Sequence, residues 1–391
     1  MYRLGLVEFP FLAIERDNTI AIFRPGPDGF SRAVLAREGF WPVWNPLRPL
    51  VAYAAIDRGD RSVEAVVRCV NLDGEDQGLL HRSPQGVQPI IGPRLPAYCL
   101  WSPRGDVLAT VGTSAGGLTL YLSDADRGYV SDGVASGAPV FPAWSPDGSR
   151  LAVHTGGQLT IVDVGGMRRT QVLPERVAGF RTPTWSPDGG DLVFAVPAPE
   201  GVQVVRSEPD GSGIRPLASF PGGVALAFRP GSRELTVAMT SSPDTGTFDR
   251  LWSIEIDSGS PPSLIAKGPF VSYHWSPTGD RMVLVVPAQT GDGRYSLHCR
   301  LADGTMAGAT EAVVPAQDYR SAIGFFDQYT VSHRLWSPDG ESFLVSGRIP
   351  TDAVSASFGD PIGSYVMRWS AQRGAPLELL APGEIGFFPP A

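Results

Sequence analysis

The chain has 391 residues, a formal net charge of −8, 42% hydrophobic residues, 46 glycines, 37 prolines and three cysteines. That acidic balance argues against binding nucleic acid or an anionic membrane through general electrostatics, while leaving room for a local basic patch. No run approaches the roughly 18 apolar residues of a membrane helix, and so much Gly and Pro suits a chain that turns about every eight to twelve residues.

The start, Met1-Tyr2-Arg3-Leu4-Gly5-Leu6-Val7-Glu8, lacks a basic n-region and an unbroken apolar h-region. No signal peptide is expected, which favours the cytoplasm; a mature exported form with an added Met is the alternative. Residues 11–14, 19–23 and 31–35 then read as three strands, the last two divided by Pro25-Gly26-Pro27-Asp28-Gly29. After them a motif begins to recur. Trp44-Asn45-Pro46-Leu47-Arg48 is a worn copy, and Trp101-Ser102-Pro103-Arg104-Gly105 changes one position. Trp144-Ser145-Pro146-Asp147-Gly148 and Trp185-Ser186-Pro187-Asp188-Gly189 are full copies. Phe228-Arg229-Pro230-Gly231-Ser232 is worn again, Trp275-Ser276-Pro277-Thr278-Gly279 changes one position, and Trp336-Ser337-Pro338-Asp339-Gly340 is full. The aromatics lie 57, 43, 41, 43, 47 and 61 residues apart. A strand-rich period in the low forties marks propeller blades.

The motif has a mechanical reading. Pro fixes φ at the first corner of a type I turn, Asp tolerates the second, and Gly takes the left-handed position that follows. A three-residue hairpin with a bulge is expected. Apolar runs follow it at 192–196, 282–286 and 343–345, as in strands buried on both faces. Further strands are expected at 158–163, 170–174, 202–206 and 215–218, without convincing amphipathic helices. The Trp suits the contact between neighbouring sheets, where its indole N–H can reach a backbone carbonyl.

The predicted fold is therefore all-β: one closed propeller of four-stranded antiparallel blades spanning 1–391. Seven blades start near Trp44, Trp101, Trp144, Trp185, Phe228, Trp275 and Trp336. An eighth is composite, residues 1–40 completed by a strand from Gly383-Glu384-Ile385-Gly386-Phe387-Phe388-Pro389-Pro390-Ala391. Closure would remove exposed sheet edges. A seven-bladed ring is the alternative if residues 1–40 extend a neighbouring sheet.

Two intervals are long, and both surpluses precede a motif Trp, where one blade crosses to the next. Loops on a rigid scaffold carry function. The first holds His81, Arg82, Arg94 and Tyr98 and the second Tyr319, Arg320, Phe325, Phe326 and Tyr329, nine candidate partner-binding residues. The aromatic-plus-Arg character of the second is that of an interface hot spot. The same aromatics would also serve as a plug folded over the propeller core.

Chemistry is sparse. Gly112-Thr113-Ser114-Ala115-Gly116 matches the nucleophile-elbow pattern, but a strand rather than a helix is expected after it. Asp124-Ala125-Asp126-Arg127-Gly128 and Asp132 resemble part of a calcium loop whose twelfth position holds Ala135 instead of Glu. Cys69, Cys99 and Cys299 read as buried free thiols. His154, His274, His298 and His333 show no metal-helix spacing, and convergence around the channel is the one way they could form a metal site. No cofactor is expected.

The Trp-Ser-Pro-Asp-Gly repeats resemble the TolB-type propeller repeat, shared with the N-terminal propellers of prolyl-oligopeptidase and dipeptidyl-peptidase enzymes, over essentially the whole chain. The resemblance implies a propeller that binds protein partners or peptides, or gates a fused hydrolase. This sequence departs from the peptidases in that no α/β-hydrolase domain is expected in it, and from the periplasmic TolB protein in that no separate N-terminal domain is expected beside the blades. The predicted function is a non-catalytic binding or scaffold propeller, an accessory subunit with a protein partner and no nucleic acid, peripheral to a membrane only through that partner. The alternative is a propeller lyase or hydrolase with a His-lined site at the channel, as the similar oligogalacturonate lyases have.

Overall fold

The Trp-Ser-Pro-Asp-Gly turns decide where each sheet begins. In the fourth blade the Gly148 N–H donates to the Ser145 carbonyl at 2.8 Å and Ser145 N–H to the Arg150 carbonyl at 2.9 Å. Gly148 has φ +68, a left-handed value that glycine adopts without steric cost. Trp144 pairs with Leu151, so the loop spans four residues, one more than expected, still built on a type I turn. The Asp147 carboxylate accepts from Ser145 Oγ at 2.6 Å and Ser149 N at 3.0 Å, and these bonds lower its pKa to about 2. Where the motif loses its Asp, an acid two positions on substitutes: Ser102 Oγ donates to Asp106 at 2.6 Å and Ser276 Oγ to Asp280 at 2.9 Å.

The structure is a computed structural model that describes residues 8–59, 62–128, 133–164, 170–179, 181–289, 291, 293–349 and 363–390. Met1 to Val7, Asp132, Phe180 and Ala391 lie outside the described residues. Eight four-stranded antiparallel sheets form an eight-bladed propeller. A representative blade runs outward from the channel as Val140–Trp144, Arg150–Thr155, Gln158–Asp163 and Thr170–Arg176. The ring closes as expected. Ile385–Phe387 pairs with Phe11–Ile14 and becomes the innermost strand of the sheet completed by Ile20–Gly26 and Gly29–Ala36.

The motif tryptophans tie blade to blade. Trp185 Nε1 donates to the Ala143 carbonyl at 2.9 Å, Trp336 Nε1 to the His274 carbonyl at 2.9 Å, and Trp144 Nε1 to the Leu100 carbonyl at 3.3 Å. Each acceptor immediately precedes the previous blade's motif Trp. Trp44 Nε1 follows the same rule across the closure, reaching the Phe387 carbonyl at 3.3 Å. Trp275 reaches the Ala227 carbonyl through Thr236 Oγ1, at 3.1 and 2.7 Å. Phe228 fills the aromatic position with no donor.

A larger expectation also fails. The innermost strand of the Trp336 blade is interrupted: Val314–Pro315 pairs with the far end of Phe343–Arg348, while Trp336 bridges Phe343 at its near end. Between them the chain makes two short helices, α1 (Gln317–Gly324) and α2 (Phe326–Tyr329). The second long insertion is thus helical, and lies within an innermost strand rather than ahead of it.

Candidate functional site

Apart from the interrupted one, the innermost strands run from one mouth of the channel to the other, each ending at an aromatic. Helices α1 and α2 divide that channel. Phe326 sits against Tyr273, Phe248 and His274, with ring centroids 5.0, 5.8 and 6.0 Å away. Tyr329 sits against Trp41 at 4.8 Å, Tyr98 at 5.2 Å and His333 at 5.3 Å. Phe326, Tyr319 and Tyr329 are 1%, 0% and 5% exposed. Of the five residues of the second insertion expected at an interface, these three are core and form a plug. Phe325, 41% exposed, and Arg320 remain at the surface. The physical reason is that aromatic composition alone does not distinguish a channel filler from a surface anchor.

Two carboxylates fasten the plug. Asp327 accepts from Thr182 N–H at 2.9 Å and Arg181 Nη1 at 3.2 Å. Asp318 receives Arg94 through two bonds at 2.9 and 3.0 Å, a fork-to-fork pair. The two long insertions therefore meet, with further bonds from Trp41 Nε1 to the Arg94 carbonyl at 3.0 Å and Tyr98 OH to the Gln328 carbonyl at 3.0 Å. Arg94 and Tyr98 are thus spent on holding the plug. His81 is 0% exposed and packs on Tyr121 at 4.5 Å, so it reaches no partner. Arg82 lies at the blade rim, bridging Asp57 at 2.9 Å and Glu64.

A groove of about 280 Å3 remains beside the plug, at the mouth where the innermost strands begin. Ile91, Leu95, Trp41, Phe141 and Phe325 line it. Trp41 was missed from the sequence. A bulge between Phe40 and Val43 and φ +49 at Trp41 turn it into the channel, and its only signal is a Trp-Pro pair just before a motif Trp. The opposite mouth is a funnel of about 450 Å3.

The histidines do not converge. His154 Nδ1 bonds the Arg181 carbonyl at 2.8 Å, His274 Nε2 meets Ser272 Oγ at 3.0 Å, His298 Nε2 meets Ser296 Oγ at 3.1 Å and His333 Nδ1 meets Ser332 Oγ at 2.7 Å. Burial lowers the pKa of His274 and His333 to about 3 and that of His81 to about 4. Among the described residues no three His, Cys, Asp or Glu side chains are grouped to hold a metal. Residues 112–116 fall in a strand pair, Val107–Ser114 with Gly117–Asp124, so no nucleophile elbow forms. In the calcium-like stretch, Asp126 pairs with Arg48 at 2.6 Å and Asp124 caps its own turn at 2.9 and 3.0 Å. The three cysteines are free and buried.

No protein-family model matches the chain, and no curated protein does. Solved structures do. A eukaryotic initiation factor is 13% identical, with 99% of each chain covered and a TM-score of 0.57. An oligogalacturonate lyase in complex with manganese is 14% identical, with 82% of each chain covered and a TM-score of 0.49. TolB from Acinetobacter baumannii is 15% identical over 88% of this chain and 83% of that one, at 0.41. At such identities the likeness is one of fold. The propeller fold is shared by enzymes and by binding proteins.

Proposed function

We propose that this chain is a non-catalytic, TolB-type binding propeller, an accessory subunit that docks a protein partner on the face where its two long insertions meet. The observation that carries the reading is the fastening of those insertions to each other across the channel mouth by Arg94 and Asp318. That pair pre-organises an apolar groove with half-exposed Phe325 at its edge. A rigid groove with an aromatic anchor lowers the entropic cost of association. Arg320, exposed and next to groove-lining Ser321, has no paired carboxylate among the described residues. The occupant that fits is an extended apolar segment of a partner protein carrying an acidic residue beside its anchor.

The test is co-purification from the source cell with wild type, Phe325→Glu and Leu47→Glu. Leu47 is 71% exposed at the opposite mouth. One protein in stoichiometric amount should accompany wild type and Leu47→Glu and be lost from Phe325→Glu. Retention by Phe325→Glu, or loss from Leu47→Glu alone, would refute the assigned face.

A further inference from the structure

The funnel at the other mouth has a different character from the groove. Its wall is built by the motif aromatics Trp44, Trp101, Trp144 and Trp185, and its floor by the exit of the plug. Three of those indoles are pinned by their Nε1 bonds to neighbouring blades, so the wall is pre-formed. A volume of about 450 Å3 falls within the roughly 300–1,000 Å3 typical of small-molecule sites, which combine apolar walls with a few polar groups.

Two charged residues line this space, Asp327 and Arg334. Asp327 is already engaged by the Thr182 N–H and Arg181. Arg334 is not. Its backbone is fixed, since its carbonyl accepts the Phe388 N–H at 2.9 Å, but among the described residues no carboxylate or carbonyl takes up its guanidinium. Burial pulls its pKa down and no charged neighbour pushes it back. A cation held in low dielectric without a counter-charge is costly, and an incoming anion relieves that cost. Guanidinium matches the planar geometry of carboxylate and phosphate oxygens.

We infer that the funnel binds a small molecule with one anionic head, carboxylate or phosphate, on a flat apolar body. The head pairs with the Arg334 guanidinium and the body lies against the tryptophan wall. The site is separate from the partner-binding groove, and the plug stands between them.

Calorimetric titration of the full chain with 2-naphthoate, 2-naphthyl phosphate and neutral 2-naphthamide tests it. At least one anion should bind at a single site, and the preferred anion identifies the head. Naphthamide should bind at least about tenfold more weakly, as should the anion to Arg334→Gln, with recovery in Arg334→Lys. Val331→Glu is a second route should Arg334→Gln fail to fold. Val331 is 55% exposed and lines the same funnel, and a carboxylate there should weaken the anion by a similar factor. Equal binding of naphthamide and the anions, unchanged binding in the variants, or no binding of either anion at millimolar concentration would overturn the assignment.

Discussion

Adjacent residues Phe325 and Phe326 should respond very differently to truncation. Phe326 is 1% exposed and packed against three rings. Phe326→Ala removes its transfer free energy and leaves a cavity that the rigid ring of blades cannot collapse, for a loss of about 3–5 kcal/mol. An unfolding entropy of about 2.1 cal/mol/K per residue gives roughly 0.8 kcal/mol/K for this chain, so Tm should fall by about 4–6 °C. Phe325→Ala, at 41% exposure, should cost under about 1 kcal/mol and leave Tm within about 1–2 °C. Urea unfolding followed by tryptophan fluorescence, with calorimetric Tm, measures both. Similar losses for the two variants, or a larger loss for Phe325→Ala, would refute the division into plug and surface.

Asp327→Ala leaves the buried Thr182 N–H and the Arg181 guanidinium without their acceptor, and should cost about 2–4 kcal/mol; hydrogen exchange should rise first in residues 317–334. Trp185→Phe deletes a buried indole bond and should cost about 1–2 kcal/mol. Trp101→Phe should cost less, because Trp101 Nε1 has no partner among the described residues; paired urea titrations decide. His81, His274 and His333 stay neutral when folded down to about pH 4, 3 and 3, whereas the unfolded chain takes up their protons below about pH 6.5. Their stabilisation is therefore complete above about pH 7 and is lost as pH falls through 6.5, on the order of 2 kcal/mol each by pH 5. The urea midpoint at pH 5 should lie well below that at pH 7.5, and His274→Gln should narrow the gap.

The blades were legible because the signal is local and repeated. A Pro-Asp-Gly corner states its own backbone angles, and the apolar run after it states its burial. Closure was readable too, since residues 383–388 read like 179–184, the lead-in to Trp185. The plug was not. Helix α1 has eight residues behind an N-cap, Ala316, that offers no side-chain cap, and α2 has four, so both are too short for their pattern to announce a helix. Whether Tyr329 points to solvent or to the channel depends on contacts with Trp41 and Tyr98, more than two hundred residues away along the chain. Arg334 was passed over because nothing in its neighbourhood tells that its charge is left unpaired. The pairing of Asp318 with Arg94 joins the two insertions chosen for their length, yet length alone could not say that they touch.

Site-specific photo-crosslinking in the source cell tests the assigned docking face most directly, with p-benzoylphenylalanine replacing Phe325 in one version of the chain and Leu47 in another. A single protein crosslinked from position 325 and absent from position 47 is the expected result. Crosslinks from position 47 alone, or none from position 325, would contradict the binding role given to the insertion face.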